Sequence, residues 1–244
     1  MTYAIPRSRI EKAKASGIPA ELIRLGNEAR KLFTYLLNSG EGGELLLYLL
    51  AEKLLKLPQL LCKMPLKTSA AMHVHGSDGI HVGVTEDTKQ LALYWGEAKL
   101  HKTPASAIAS CIKDIAPYLL DAGGSEAAQN RDLQLLRDQL DLNNPDLETA
   151  LKILLDKSNP HYNKVEFRGL GLIGFDNELY PVEPNKKTIE GLAAEISSEM
   201  SLWNSLIARN IKNESLTSFR LELFCFPFPS VEEYRERFKK ELGI

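Results

Sequence analysis

Residues 73–102 read HVHGSDGIHVGVTEDTKQLALYWGEAKLHK, strand-like runs joined by a polar turn, and both flanks of this segment repeat at helical spacing. A chain with that change of period must set a strand pair among helices. Strands are expected over residues 72–74, 79–84 and 90–95, the last continuing through Glu97 to Leu100, with a hairpin turn at 85–89. Upstream, Leu22, Ile23, Ala29, Leu32, Phe33, Leu36 and Leu37 predict a helix over 20–37. A second helix is expected over 43–57, loosened at its start by Gly42-Gly43, stopped by Pro58 and buried by leucines on nearly every side. After Pro104, Ala107, Ile108, Cys111, Ile112, Ile115, Leu119 and Leu120 form one helix face beginning near Ser106.

The second half predicts helices near 126–140 and 146–157, a buried strand over 165–175, a long helix over 187–211, a strand through Phe219 and Cys225, and a charged helix over 231–242. Residues 224–229, FCFPFP, read as a strand end stopped by two prolines. The class is therefore α/β (α+β), a central mixed sheet flanked by helices. Without internal repeats or a long linker, an N-terminal helical segment (1–40) and one compact domain (41–244) are expected.

Composition narrows function. With 44% hydrophobic and 25% charged residues, disorder and low-complexity classes are out. The longest nearly unbroken apolar stretch, residues 45–51, is far short of the roughly 20 residues that span a bilayer, and no secretory signal is visible, so a cytoplasmic protein without a membrane partner is expected. Cys62, Cys111 and Cys225 read as reduced thiols. Net charge is −2, but residues 1–113 carry 15 Lys and Arg against 10 Asp and Glu, net +5, and the remainder 15 against 22, net −7. A polyanion site would fall in the first part.

Glu97 and Lys99 are two apart, so on a strand they share a face while Ala98 points away, and Asp78 lies on the neighbouring strand. Carboxylates from two strands can hold Mg²⁺ while an ammonium steadies charge, the set that phosphodiester hydrolysis needs. The plainer alternative is a structural ion pair, since charges in an apolar strand are costly to bury unpaired. His73, His75 and His81 invite a zinc reading, discounted because no cysteine joins them at a zinc spacing; phosphate contact or strand-end capping are the alternatives. Gly169, Gly171 and Gly174 match G-x-G-x-x-G inside a buried strand instead of at a strand-to-helix turn, which indicates close packing and not dinucleotide binding. Tyr94, Trp95 and Phe175 read as core, and no nucleoside-triphosphate phosphate loop is present.

The pattern Asp78…Glu97-Ala-Lys99, with Glu44 on a preceding helix, resembles the PD-(D/E)xK nuclease superfamily and its restriction-endonuclease-like core. GELLLYLLAEKLL at 43–55, Cys62-Lys63, HGSDGIHVGV at 75–84 and YWGEAKLHK at 94–102 resemble the HamA family, the effector of the Hachiman anti-phage defence system. The resemblance implies a bacterial DNA endonuclease, with Asp78 and Glu97 as ligands of Mg²⁺ (Mn²⁺ as an alternative), Lys99 as catalytic lysine and Glu44 as accessory acid. It further implies a superfamily 2 helicase, HamB, that restrains and releases the nuclease. The slightly negative net charge and the absence of base-reading motifs predict low sequence specificity. Lys63, His101 and Lys102 are candidate DNA-phosphate contacts, with a solvated loop lysine and a solvated turn as the alternatives. The alternative is a catalytically inactive nuclease-like adaptor that docks DNA or the helicase.

Overall fold

The computed structural model describes residues 2–33, 39–61, 64, 76–85, 87, 89–120, 127–140, 142, 144–181, 183 and 186–244. Helices α1 (Arg7–Ala15), α2 (Pro19–Lys31) and α3 (Glu41–Lys53) precede strands β1 (Gly79–Val84) and β2 (Leu91–His101). Helices α4 (Pro104–Leu119), α5 (Ala128–Gln139) and α6 (Pro145–Leu154) lead to β3 (Glu166–Asp176), and α7 (Ile189–Asn213), β4 (Leu221–Phe228) and α8 (Val231–Leu242) complete the order. The four strands form one mixed sheet in the order β1-β2-β3-β4, antiparallel between β1 and β2 and parallel thereafter, with helices on its faces. This is the α+β class expected of the sequence.

β2 is covered on both faces. On one, Leu93 and Trp95 join the Ile108, Cys111, Ile112 and Ile115 stripe of α4; on the other, Ala92, Tyr94 and Ala98 meet Leu47 and Ala51 of α3. The alternation of β2 thus sends Glu97 and Lys99 toward α4. Tyr94, Trp95 and Phe175 are core residues, as read. A Cβ at Gly171 would lie 2.6 Å from Leu223 and 2.9 Å from Cys111, so the glycines of β3 serve close packing. The N-terminal residues pack against the same framework: Tyr3, Ile5, Leu25 and Phe33 form a core with Tyr48 of α3, and Phe238 of α8 packs against it.

Several boundaries differ from expectation. α3 stops at Lys53, short of Pro58, because Lys56 takes a left-handed backbone (φ 57°) that turns the chain, and Leu57 N–H returns to the Ala51 carbonyl. α2 ends at Lys31, and residues 34–38 lie outside those described, as do Cys62 and the strand expected at 72–74. β4 runs through Pro227, which an edge strand tolerates because one backbone side needs no ladder partner. Gly42 and Gly43 do not loosen α3; the helix starts before them at Glu41, and both are buried. No helix among the described residues is long and apolar enough to cross a membrane.

Candidate active site

Asp78 immediately precedes β1, whose first residue, Gly79, pairs with Gly96 of β2. A Cβ on Gly96 would sit 3.2 Å from the Gly79 carbonyl oxygen, so this crossing needs glycine. The close approach lets the Asp78 N–H donate to the Gly96 carbonyl at 2.9 Å and lets Asp78 Oδ2 accept the Ala98 N–H at 2.7 Å. One sequence-distant carboxylate is thereby fixed beside Glu97. Burial pushes the Asp78 carboxyl well above its usual range, and Glu44 and Glu97 push it further.

Glu97 is only 6% exposed. Lys99 Nζ donates to its Oε1 at 2.6 Å and to Asp114 Oδ2, on α4, at 2.9 Å. Burial raises the Glu97 carboxyl despite the lysine, with Asp114 and Glu44 adding to the effect. Burial also works against the Lys99 ammonium, but Glu97 and the bonds to Glu97 and Asp114 outweigh it and hold its pKa above the ordinary lysine value. Lys99 is therefore a fixed cation at neutral pH and no proton acceptor.

Glu44 sits in the first turn of α3, where glycine brings helix and strand together. A Cβ at Gly43 would be 3.2 Å from Leu100 and 3.5 Å from Ala98, and one at Gly42 would be 3.2 Å from Phe238. Tyr234 of α8 donates its hydroxyl to the Gly42 carbonyl at 2.8 Å, which anchors the same turn. Glu44 reaches both Asp78 and Glu97 electrostatically, and its Oε2 accepts the Tyr3 hydroxyl at 2.9 Å.

Asp78, Glu97, Lys99 and Glu44 are thus brought together. Among the described residues, no three or more His, Cys, Asp or Glu side chains already form a metal-holding cluster. The reason is visible in the bonding: Asp78 turns to Ala98 N–H, Glu97 to Lys99 and Glu44 to Tyr3. The donor set is nonetheless hard oxygen with an excess of negative charge, which suits Mg²⁺ over a softer ion.

His101 is the last residue of β2 and half-buried instead of lying on a loop; burial, together with Arg235 and Lys99, lowers its pKa. Lys102 is exposed in the link to α4, and Lys63 lies outside the described residues, as do His73 and His75. His81 lies in the core, 1% exposed, instead of on a surface open to a phosphate. It is buried, its Nδ1 bonds the Leu57 carbonyl at 3.0 Å, and burial lowers its pKa to about 4, as a neutral core histidine requires. Sequence reasoning missed Asp114 and Tyr3. Asp114 is three residues after Cys111 and seven after Ala107, which would have placed it at the edge of the inward face of α4.

A HamA family model matches residues 1–242, and the chain belongs to the HamA family. This membership is consistent with a role in Hachiman defence. No curated protein and no solved structure matches the chain.

Proposed function

We propose that the protein is a metal-dependent DNA endonuclease, the effector of a Hachiman anti-phage system, restrained and activated through the helicase HamB. The observation that carries this reading is a charge surplus: Asp78, Glu97 and Asp114 act on the single cation Lys99, Glu44 acts on Asp78 and Glu97, and burial drives the Asp78 and Glu97 pKa values up. Crowded, buried carboxylates are costly unless a cation compensates them. Asp78 and Glu97, with Glu44, would hold Mg²⁺ or Mn²⁺, which supplies charge neutralisation at phosphate and a more acidic bound water.

The chain's own residues do the rest. Lys99, tied to Glu97 and Asp114, presents a permanent ammonium that orients the attacking oxygen or steadies charge on the phosphate. Lys102 follows on an exposed turn suited to a backbone phosphate. Expected products carry 5′-phosphates. With net charge −2, DNA access is expected to depend on the partner, and cleavage to be weakly sequence-specific.

One observation favours the alternative, a catalytically inactive adaptor: the lysine already spends two donors on protein carboxylates. Supercoiled-plasmid cleavage by the protein, alone and with its helicase, decides between them. The nuclease reading expects nicking with Mg²⁺ and none with EDTA; an inert complex under activating conditions supports the adaptor.

A further inference from the structure

Tyr3 is 4% exposed, and its ring packs at 6.0 Å on Phe33 and 5.4 Å on Tyr48. The segment that carries it is held independently of the Tyr48 hydroxyl: Ile5 is fully buried, and Arg7 pairs with Glu52 at 2.8 Å and donates to the Gln59 carbonyl at 2.9 Å. The ring accounts for the packing on Phe33 and Tyr48, but not for the hydroxyl. A buried hydroxyl is costly without a partner, so its presence asks for a reason. Its partner is a carboxylate of the candidate active site, Glu44 Oε2 at 2.9 Å. Beyond burial, the charges that act on the phenol are Glu44, Asp78 and Glu41, two of them candidate ligands.

We propose that Tyr3 is a positioning residue of the metal site: its packed ring fixes a hydroxyl that holds the Glu44 carboxylate toward Asp78 and Glu97. The inference rests on the metal-dependent reading above. A neutral donor suits this place because it orients a carboxylate without cancelling the negative charge a divalent cation needs, as a lysine would. Such supporting hydrogen bonds fix ligand orientation, and their loss typically weakens metal binding about 10- to 100-fold. Tyr48 supplies the internal control, since its hydroxyl bonds Thr2 and it packs on the same Tyr3 ring.

The test is calorimetric titration of Mn²⁺ into the metal-free full-length chain, with no activity readout required. Y3F should bind Mn²⁺ about 10- to 100-fold more weakly than wild type. Y48F should bind as wild type does, and Y3F/E44Q should bind no more weakly than E44Q alone, because Tyr3 acts through Glu44. Wild-type affinity in Y3F, additive losses in the double variant, or an equal loss in Y48F would each overturn the role of Tyr3 while leaving the metal reading intact. If wild type takes up no Mn²⁺, or D78N takes it up unchanged, the metal reading fails and the inference with it.

Discussion

Two neighbouring strands carry the same acid-x-base spacing and put it to opposite uses. On β3, Arg168 grips Glu166 with two bonds of 3.0 Å, gives a third of 3.0 Å to the Tyr94 hydroxyl, and stands beside a second cation, Arg220, 3.8 Å from Glu166. On β2, Lys99 serves Glu97 and Asp114 while Asp78 and Glu44 press on Glu97 and on each other. The first set is balanced and closed. The second has more carboxylates than its lysine can answer, and that surplus is what the proposed metal ion would balance.

The comparison breaks most easily at its two cations. Arg168→Ala takes the bidentate partner from Glu166, which is 30% exposed and keeps Arg220 at 3.8 Å, and should cost about 1–3 kcal/mol in chemical denaturation, with cleavage per folded molecule unchanged. Lys99→Ala leaves the more buried carboxylate, Glu97, 7% exposed, and should cost a comparable amount in stability while also removing cleavage. Loss of cleavage in folded Arg168→Ala, or its retention in folded Lys99→Ala, would remove the distinction.

Acidification sharpens it. Burial keeps His81 neutral with a pKa of about 4, against about 6.5 when unfolded, so this residue takes stability away as pH falls through that window, by roughly 3 kcal/mol at most. Asp78 works the other way. Its native pKa is raised, so its penalty is absent below the usual carboxylate pKa of about 4 and grows as pH rises through the native value. Metal-free Asp78→Asn should therefore lose stability more steeply than wild type between pH 6.5 and 4. Parallel pH profiles would mean that Asp78 is not crowded.

Metal should have the same relieving effect at neutral pH. At about 100 times its dissociation constant, Mn²⁺ should stabilise the wild type by about 2.7 kcal/mol, and Glu97→Gln should abolish most of that gain, whereas Glu166→Gln should keep it. The smallest effect is expected at Gly43→Ala. The added Cβ meets Leu100 at 3.2 Å, but alanine's better helix propensity offsets the crowding, so stability should shift by no more than about 1 kcal/mol while Mn²⁺ affinity falls as α3 carries Glu44 outward.

The elements that build the site were the easiest to read. The Ala107-to-Leu119 stripe and the apolar run around Trp95 have unmistakable periods, so α4 and β2 stand where expected, and Glu97 and Lys99 were legible as charges that an apolar strand does not carry without cause. Asp114 was hidden because an acid bordering a helix stripe reads the same whether it faces water or a lysine from another element. Tyr3 was hidden because an aromatic ring signals packing, and nothing local says where its hydroxyl ends. Gly42-Gly43 looked like a weak helix start, since the reason for two glycines is Leu100 and Phe238, contacts made across long stretches of sequence. The end of α3 at Lys53 depended on the left-handed turn at Lys56, and the passage of β4 through Pro227 on its edge placement in the sheet.

The central claim, that the carboxylate surplus gathered about Glu97 of β2 is a catalytic metal site, is tested most directly by plasmid cleavage with the helicase complex in Mg²⁺, comparing Glu97→Ala/Lys99→Ala with Glu166→Ala/Arg168→Ala. The account predicts that the β2 double variant, still folded, loses at least about 100-fold in cleavage rate, while the β3 double variant, although less stable, cuts at the wild-type rate per folded molecule. Unchanged cleavage by a folded β2 double variant would contradict it.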